Sequence, residues 1–347
     1  MSDPAAINWR GWGAVAVLLV LSIVSSIDRS LISLLVEPLK ADLGLSDFQI
    51  GLVQGLGFGL FYAVLGVPMG MLIDRYPRKL VVWGGVTVWS LCAAACGLAG
   101  NFTQLLLARF GVGAGEATLS PAAYSIIGDH FPPRRLAFAM GVFGVGGILG
   151  ISAALTVGGV IIAWAESVRD VAWPLVGVLK PWQLAFIVAG LPGVFAAFLI
   201  LLVPENPRGH GSAAAGLMAD AGLAEFLRLR WKLLACHFTG FGIVAMLAYG
   251  MMAWAPVFLM RRFGVSILDA GMMLGSVAAL AGVGGMLFNG WWVDRRFAGG
   301  RVDSHLRHYV AVCGIGAVAA VLAFSGAQSV AQFLVPYTLV YFLQPFT

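Results

Sequence analysis

Ten long apolar runs dominate this sequence, each bounded by charged residues, prolines or glycines. A helix needs about 20 apolar residues to cross a bilayer, where its backbone polar groups must bond within the segment. Only 11% of the 347 residues are charged, whereas a soluble domain has about a quarter. The sequence therefore predicts an all-α membrane protein whose spanning helices are numbered one to ten. They cover residues 12–36, 49–73, 80–100, 102–127, 136–164, 182–203, 231–259, 267–293, 309–325 and 327–347.

The basic residues are divided unequally between the two sides of such a chain. Fourteen lie in the N-terminus and after even-numbered helices, five lie after odd-numbered helices, and two lie within helices. Cytoplasmic loops carry the excess of Lys and Arg, so the N-terminus is predicted to be cytoplasmic, with Arg78 and Arg230 inside and Lys40 and Arg261 outside. This distribution explains the net charge of +5 without a nucleic-acid partner. We expect a monomeric, multi-pass protein of the cell membrane.

An internal repeat relates two parts of the chain at an offset of 220 residues. Eight of the 32 positions from 44 to 75 are identical to their counterparts from 264 to 295, and both copies end in G-x-x-x-D-R. Parallel repeats of this kind occur in transporters whose halves are related by an axis along the membrane normal. The sequence predicts a six-helix bundle over 1–203, a cytoplasmic linker over 204–230, and a second bundle over 231–347. This second bundle contains helices seven to ten, two fewer than the first bundle.

The segment Gly70–Lys79, with the sequence GMLIDRYPRK, resembles the loop pattern G-x-x-x-D-R-x-G-R-K of the major facilitator superfamily. Pro77 replaces the second glycine of that pattern. The resemblance implies a cytoplasmic gate in which Asp74 acts as a latch; the alternative is a solvated charge cluster that only sets topology. The implied gate residues are Gly70, Asp74, Arg75, Arg78, Arg134, Arg135, Gly290, Asp294 and Arg295.

A narrower resemblance lies in helices one and four. Asp28-Arg29, Arg109–Ala117 (RFGVGAGEA) and Asp129–Arg135 (DHFPPRR) are similar to the spinster branch of that superfamily, which transports sphingolipids and lysophospholipids. The resemblance implies the major facilitator fold of two pseudo-symmetric six-helix bundles, with about ten of the twelve helices in this chain. It also implies secondary transport by alternating access of an amphipathic, phosphate-bearing lipid, such as a lysophospholipid or a sphingoid phosphate.

Asp28, Arg29, Arg109 and Glu116 place charge inside predicted helices. A charge at membrane depth is costly unless it is paired or hydrated, so each residue is a candidate for substrate binding or proton coupling. With a rise of about 1.5 Å per residue, Asp28 and Arg109 lie at similar depth and a bridge between them is feasible. Glu116, two turns from Arg109, would be a proton switch if helix movement changed its distance from an arginine. The alternatives are a pair that only fastens helix one to helix four, and a neutral, hydrogen-bonded Glu116.

Helix seven carries a Met and aromatic stripe that includes Tyr249, Met252 and Trp254. These residues are interpreted either as the lining of a cavity for a flexible acyl chain or as ordinary core. The glycines of helix five favour close helix packing, with a sliding surface as the alternative.

The sequence as a whole predicts a proton-coupled secondary transporter of phosphate-bearing lipids, not an enzyme. No metal is expected, and no cofactor beyond the coupling proton. One alternative is a superfamily transporter of a small polar metabolite or drug, although Arg29 and Arg109 argue against a cation. The other is a membrane-embedded lipid-modifying enzyme, which would need a His/Asp/Glu cluster at the headgroup level, and none is evident in the sequence.

Overall fold

The computed structural model describes residues 8–173, 177–205, 223–301 and 303–343. All ten predicted runs are helical there, and eight helices among these residues are long and apolar enough to cross a membrane. The predicted all-α class is confirmed, with one small addition: Ala172–Trp173 pairs antiparallel with Gly177–Val178 between helices five and six. The helices run over Trp9–Ser30, Asp47–Arg75, Arg78–Cys96, Phe102–Glu116 with Leu119–His130, Pro133–Ser167, Pro181–Ala197, Leu223–Phe263, Ile267–Ala298, Ser304–Val321 and Val330–Leu343. A short helix that the sequence did not predict, Val36–Leu43, lies between helices one and two.

The turns that precede helices two and eight are built in the same way. Gly44 and Gly264 adopt left-handed backbone conformations with φ of 64° and 65°, which glycine reaches without a Cβ clash. Two residues later, the hydroxyls of Ser46 and Ser266 accept hydrogen bonds from the backbone N–H three residues on, at 3.2 and 3.1 Å. Each serine is therefore an N-cap, and the 220-residue offset relates local structures as well as sequence letters.

Helix four is interrupted at Ala117 and Thr118, whereas the sequence predicts one continuous helix. Pro121 cannot donate a backbone hydrogen bond to the carbonyl of Ala117, and its ring crowds the same turn. The Thr118 hydroxyl instead donates to the carbonyl of Gly115 at 2.8 Å. A Cβ on Gly115 would lie 2.6 Å from the carbonyl oxygen of Gly85, so helix three crosses at this point with its backbone in contact. The break leaves Glu116 as the last residue of the first part of helix four.

Helix five packs against helix one on one side and helix eight on the other. It therefore connects the part of the chain that contains the first repeat with the part that contains the second. A Cβ on Gly150 would lie 2.4 Å from Cβ of Ser26 in helix one. On its other side, a Cβ on Gly275 of helix eight would lie 2.1 Å from Oγ1 of Thr156, and the hydroxyl of Ser152 donates to the carbonyl of Gly275 at 2.7 Å. Small residues therefore let three backbones approach closely, as the glycine pattern predicts.

Contacts divide the chain into two units, Met1–Glu205 with Ala255–Thr347, and Asn206–Trp254. The described part of the second unit is residues 223–254 of helix seven. Helix seven begins at Leu223, earlier than the predicted 231, because the amphipathic stretch 223–231 is helical and continues into the membrane-spanning segment. The remaining linker residues, 206–222, lie outside the described residues, and the predicted division into bundles at 203 and 231 stays a prediction.

Candidate functional site

The four charged residues of helices one and four lie together in the first unit. Asp28 and Arg109 are each 2% exposed and Glu116 is 1% exposed. The side chain of Arg29 is 28% exposed. Three of the four charged side chains are therefore buried, and that of Arg29 is partly exposed.

Glu116 pairs with Arg29. Its Oε2 accepts a hydrogen bond from Nη2 of Arg29 at 2.5 Å and another from the hydroxyl of Ser25 at 2.8 Å. Ser25 and Arg29 are four residues apart, so they lie on one face of helix one and reach the same acceptor. The result is a charge-assisted pair that joins helix one to the break in helix four.

Asp28 and Arg109 make a different contact from the predicted bridge. Nη1 of Arg109 donates to the backbone carbonyl of Asp28 at 3.1 Å, and its guanidinium carbon lies 5.3 Å from the ring centroid of Phe186. Nε and Nη2 of Arg109 have no hydrogen-bond partner within the part of the chain that the structure describes. Consecutive helix residues point about 100° apart, and Arg29 is turned toward Glu116. Arg109 therefore meets the backbone of Asp28 and not its carboxylate.

Two aromatic rings of helix two lie beside the guanidinium of Arg29. The guanidinium carbon of Arg29 lies 4.4 Å from the ring centroid of Phe58 and 5.5 Å from that of Tyr62, within cation–π range. The Tyr62 hydroxyl lies 3.3 Å from Oγ of Ser120. Helix two can approach helix four at this point because Gly113 has no side chain: a Cβ there would lie 2.4 Å from the carbonyl oxygen of Phe58.

The sequence analysis missed Phe58 and Tyr62. Their spacing of four residues puts both rings on one helix face, yet aromatic residues in an apolar run are equally typical of a lipid-facing surface. Helix two also contains a π turn, Leu52–Leu56, and such turns are frequent at functional sites. A Cβ on the next residue, Gly57, would lie 3.3 Å from Cβ of Arg109.

The first copy of the gate motif is paired through Arg78. Nη1 of Arg78 forms an ion pair with Asp129, and its backbone N–H donates to Oε1 of Glu205 at 2.7 Å. Asp74 and Arg75 are exposed, and Asp74 makes no ion pair within the described ranges. The acidic partners in this cluster are therefore Asp129 and Glu205.

The rest of the gate motif is at the surface. Arg135, Asp294 and Arg295 are exposed, and the guanidinium of Arg295 lies 5.5 Å from the ring centroid of Trp291. The side chain of Arg134 lies outside the described residues. Gly70 and Gly290 have no atom within 4 Å of a Cβ position.

The predicted cavity residues lie in the second unit. Tyr249 is exposed, and Met252 and Trp254 are half-buried. Their contact with a substrate stays a prediction.

The residues that the sequence places outside meet near the start of helix two. Nζ of Lys40 lies 2.6 Å from Asp47, Nζ of Lys180 lies 3.0 Å from Asp42, and Arg261 pairs with Asp47 at 2.7 Å. Lys40, Lys180 and Arg261, which the sequence predicts on one side of the membrane, therefore lie together.

The sequence profile of the Major Facilitator Superfamily matches residues 18–346. The chain belongs to the Major Facilitator Superfamily. This membership confirms the predicted fold and places the protein in a transporter family, which excludes the lipid-modifying enzyme.

Similar proteins of this superfamily include transporters for different substrates. The chain is 32% identical over 286 residues to an MFS-type efflux pump of Mycolicibacterium smegmatis, covering 82% of this chain and 63% of the pump. It is 29% identical over 315 residues to a probable L-galactonate transporter of Escherichia coli, covering 87% of this chain and 66% of that transporter. The chain therefore spans just under two thirds of the length of these relatives.

A solved structure with the same fold is that of a bacterial homologue of the human lysosomal transporter spinster, in an inward-facing and unoccupied conformation. The TM-score is 0.78 at 26% sequence identity, covering 97% of this chain and 73% of the homologue. The resemblance to the spinster branch is thereby confirmed.

Proposed function

We propose that this superfamily protein is a secondary active transporter that works by alternating access, and that its substrate carries an anionic group bound by Arg29. The observation that carries the proposal is the unequal burial of the Arg29–Glu116 pair, 28% exposed for the cation and 1% for the carboxylate. Only the Arg29 side of the pair is partly exposed, so we infer that a substrate anion approaches the guanidinium from that side. A guanidinium binds phosphate or carboxylate through two parallel hydrogen bonds.

Proton coupling follows from competition for Arg29. When a substrate anion takes the guanidinium, Glu116 loses its ionic partner and keeps only the hydrogen bond from Ser25. A proton on Glu116 then replaces the missing positive charge, so substrate binding and proton binding strengthen each other by the same free energy. Asp28, which is 2% exposed and contacts Arg109 through its backbone carbonyl, lies in the same cluster.

We propose a phosphate-bearing lipid, such as a lysophospholipid or sphingoid phosphate, as the substrate. The Phe58 and Tyr62 rings put apolar surface directly beside the anion-binding guanidinium, which suits a molecule with a charged head and a hydrocarbon chain. The resemblance of helices one and four to the spinster branch supports the same class. A sugar acid is the second candidate, because a carboxylate also fits Arg29 and a probable L-galactonate transporter is 29% identical.

Uptake into proteoliposomes tests these assignments. The panel is a lysophospholipid, a sphingoid phosphate, an uncharged lysolipid and L-galactonate, each with an imposed pH gradient and with the gradient collapsed. We expect gradient-stimulated uptake of the two phosphate-bearing lipids only. Uptake of L-galactonate alone would replace the lipid with a sugar acid. Transport of the uncharged lysolipid at the same rate would refute anion recognition by Arg29.

We further propose that the protein is monomeric and lies in the cell membrane with its N-terminus in the cytoplasm, since 14 basic residues lie on one predicted side and 5 on the other. Single cysteines at positions 40, 78, 230 and 261 are each treated with a membrane-impermeant thiol reagent outside intact cells. Labelling at 40 and 261 is expected. Labelling at 78 or 230 instead would reverse the orientation.

A further inference from the structure

Arg261 joins the two repeats by charge. Its Nε donates to Oε1 of Glu37 at 2.7 Å, and its Nη1 and Nη2 donate to the two carboxylate oxygens of Asp47 at 3.0 and 2.7 Å. Glu37 lies in the short helix Val36–Leu43 and Asp47 in the first turn of helix two, whereas Arg261 lies in the last turn of helix seven. One guanidinium therefore connects two elements of the first repeat to one element of the second.

The two ends of helix two differ in whether an ion pair connects the two repeats. At the end that carries Asp47, Arg261 links residues more than 200 positions apart. At the end that carries Asp74, the ion pair of Arg78 with Asp129 stays within the first repeat. Among the ion pairs formed by the described residues, those that connect the repeats are both made by Arg261.

We propose that Arg261 is a gating residue. Its pairs with Glu37 and Asp47 hold the two repeats together at the end of helix two that carries Asp47, the Asp47 end, and the pairs break when the repeats separate there. The proposal rests on alternating access as the proposed mode of transport. It assigns Arg261 a role beyond topology, and a measurement of distance can test it without any substrate.

Lys40 makes the closure reversible. Its Nζ lies 2.6 Å from Oδ1 of Asp47, the oxygen that also accepts from Nη2 of Arg261. Lys40 belongs to the same repeat as Asp47, so it stays in place when helix seven moves away. Asp47 then keeps a cationic partner, and the carboxylate of Glu37, 39% exposed, is hydrated by water. Separation therefore leaves no buried, unpaired charge.

The strength of the closure suits a gate. The side chains of Arg261 and Glu37 are 39% exposed and that of Asp47 is 48% exposed, and exposed ion pairs are individually weak and screened by salt. Removing both pairs should change the ratio of open to closed Asp47 end by about 3- to 30-fold. A change of this size moves a balanced conformational equilibrium without unfolding the protein.

Spin labels at positions 41 and 269, one exposed site on each repeat, report the separation by double electron–electron resonance in a background with the four native cysteines replaced by alanine. Arg261→Ala is compared with Arg262→Ala. Arg262 is the adjacent exposed arginine and forms no ion pair among the described residues, so it matches the change in charge and size. We expect Arg261→Ala to raise the long-distance population by about 3- to 30-fold and Arg262→Ala to leave it unchanged, with equal melting temperatures.

A second measurement needs no substitution at the gate. Raising the salt concentration from about 0.05 to about 1 M shortens the screening length several-fold, so the long-distance population of the otherwise unmodified protein should rise. Identical distance distributions for the two alanine variants, or a salt response that persists unchanged in Arg261→Ala, would overturn the gating role. A protein that opens in this assay but transports no anion would contradict the proposed function and leave the gate in place.

Discussion

Replacing Glu116 with glutamine separates the charge of this side chain from its shape. The amide keeps the size of the carboxylate and can still offer an oxygen to Ser25 and Arg29, but it can neither take up a proton nor hold Arg29 by charge. If Glu116 is the coupling residue, Glu116→Gln imitates its protonated state. Binding of an anionic substrate should then be preserved or tightened, while gradient-driven accumulation is lost.

The magnitude follows from the two hydrogen bonds on Oε2, 2.5 Å from Arg29 and 2.8 Å from Ser25. A hydrogen bond to a charged group contributes about 1.5–3 kcal/mol and a neutral one about 0.5–1.5 kcal/mol, so the internal competitor weakens by about 1–1.5 kcal/mol. Because Arg29 is 28% exposed, water compensates part of this loss and the lower value applies. About 1 kcal/mol corresponds to about five-fold tighter substrate binding near neutral pH.

The assay is substrate affinity from pH 5 to 8, together with uptake against a gradient and exchange at equal pH. The unmodified protein should bind a phosphodiester lysophospholipid, whose charge is constant over this range, more tightly as the pH falls, because binding takes up a proton. The variant should lose this pH dependence and retain exchange. Glu166→Gln is the matched control: the same change at an exposed helix-five residue without an ion pair in the described part of the chain. An unchanged pH profile in Glu116→Gln, or continued uphill accumulation, would refute the coupling role.

Three further outcomes are expected. Asp74→Asn should alter the accessibility of the Asp47 end more than the melting temperature, because exposed charges contribute less than about 1 kcal/mol to stability; an unchanged accessibility with a large drop in melting temperature would indicate a structural role. Arg29→Lys should fold but lose most transport, since lysine cannot reproduce the guanidinium fork that binds the substrate anion, and near-normal uptake would contradict this. Gly271→Ala should lower the free energy of unfolding by about 1–3 kcal/mol, because its Cβ would lie 2.3 Å from the carbonyl of Leu155. Its repeat counterpart Gly51→Ala, with no atom within 4 Å, should cost nothing, so equal melting temperatures for these two variants would contradict the packing argument.

Much of the architecture is determined by the sequence, because spanning helices are local objects. Apolar length alone locates each helix, and the turn at Gly44 and Ser46 recurs at Gly264 and Ser266 because left-handed φ and N-capping depend on a few adjacent residues. The same reasoning identifies Asp28, Arg29, Arg109 and Glu116 as functional candidates, since any charge at membrane depth needs a partner.

Only the tertiary structure decides which of these charges meet. Asp28 and Arg29 differ by about 1.5 Å in depth but by about 100° around helix one. The sequence predicts the depth of each residue but not how helix one is rotated relative to its neighbours. Rotation is set by helix five, where Cβ positions on Gly146 and Gly150 would lie 3.2 and 2.4 Å from Cβ of Ser22 and Ser26.

Ser25 and Arg29 lie on the adjacent face of helix one, rotated by about 60°, and that packing turns them toward Glu116. The Arg261 network likewise depends on chain positions more than 200 residues apart. Such contacts follow from the mutual packing of whole helices, which no local pattern in either segment encodes.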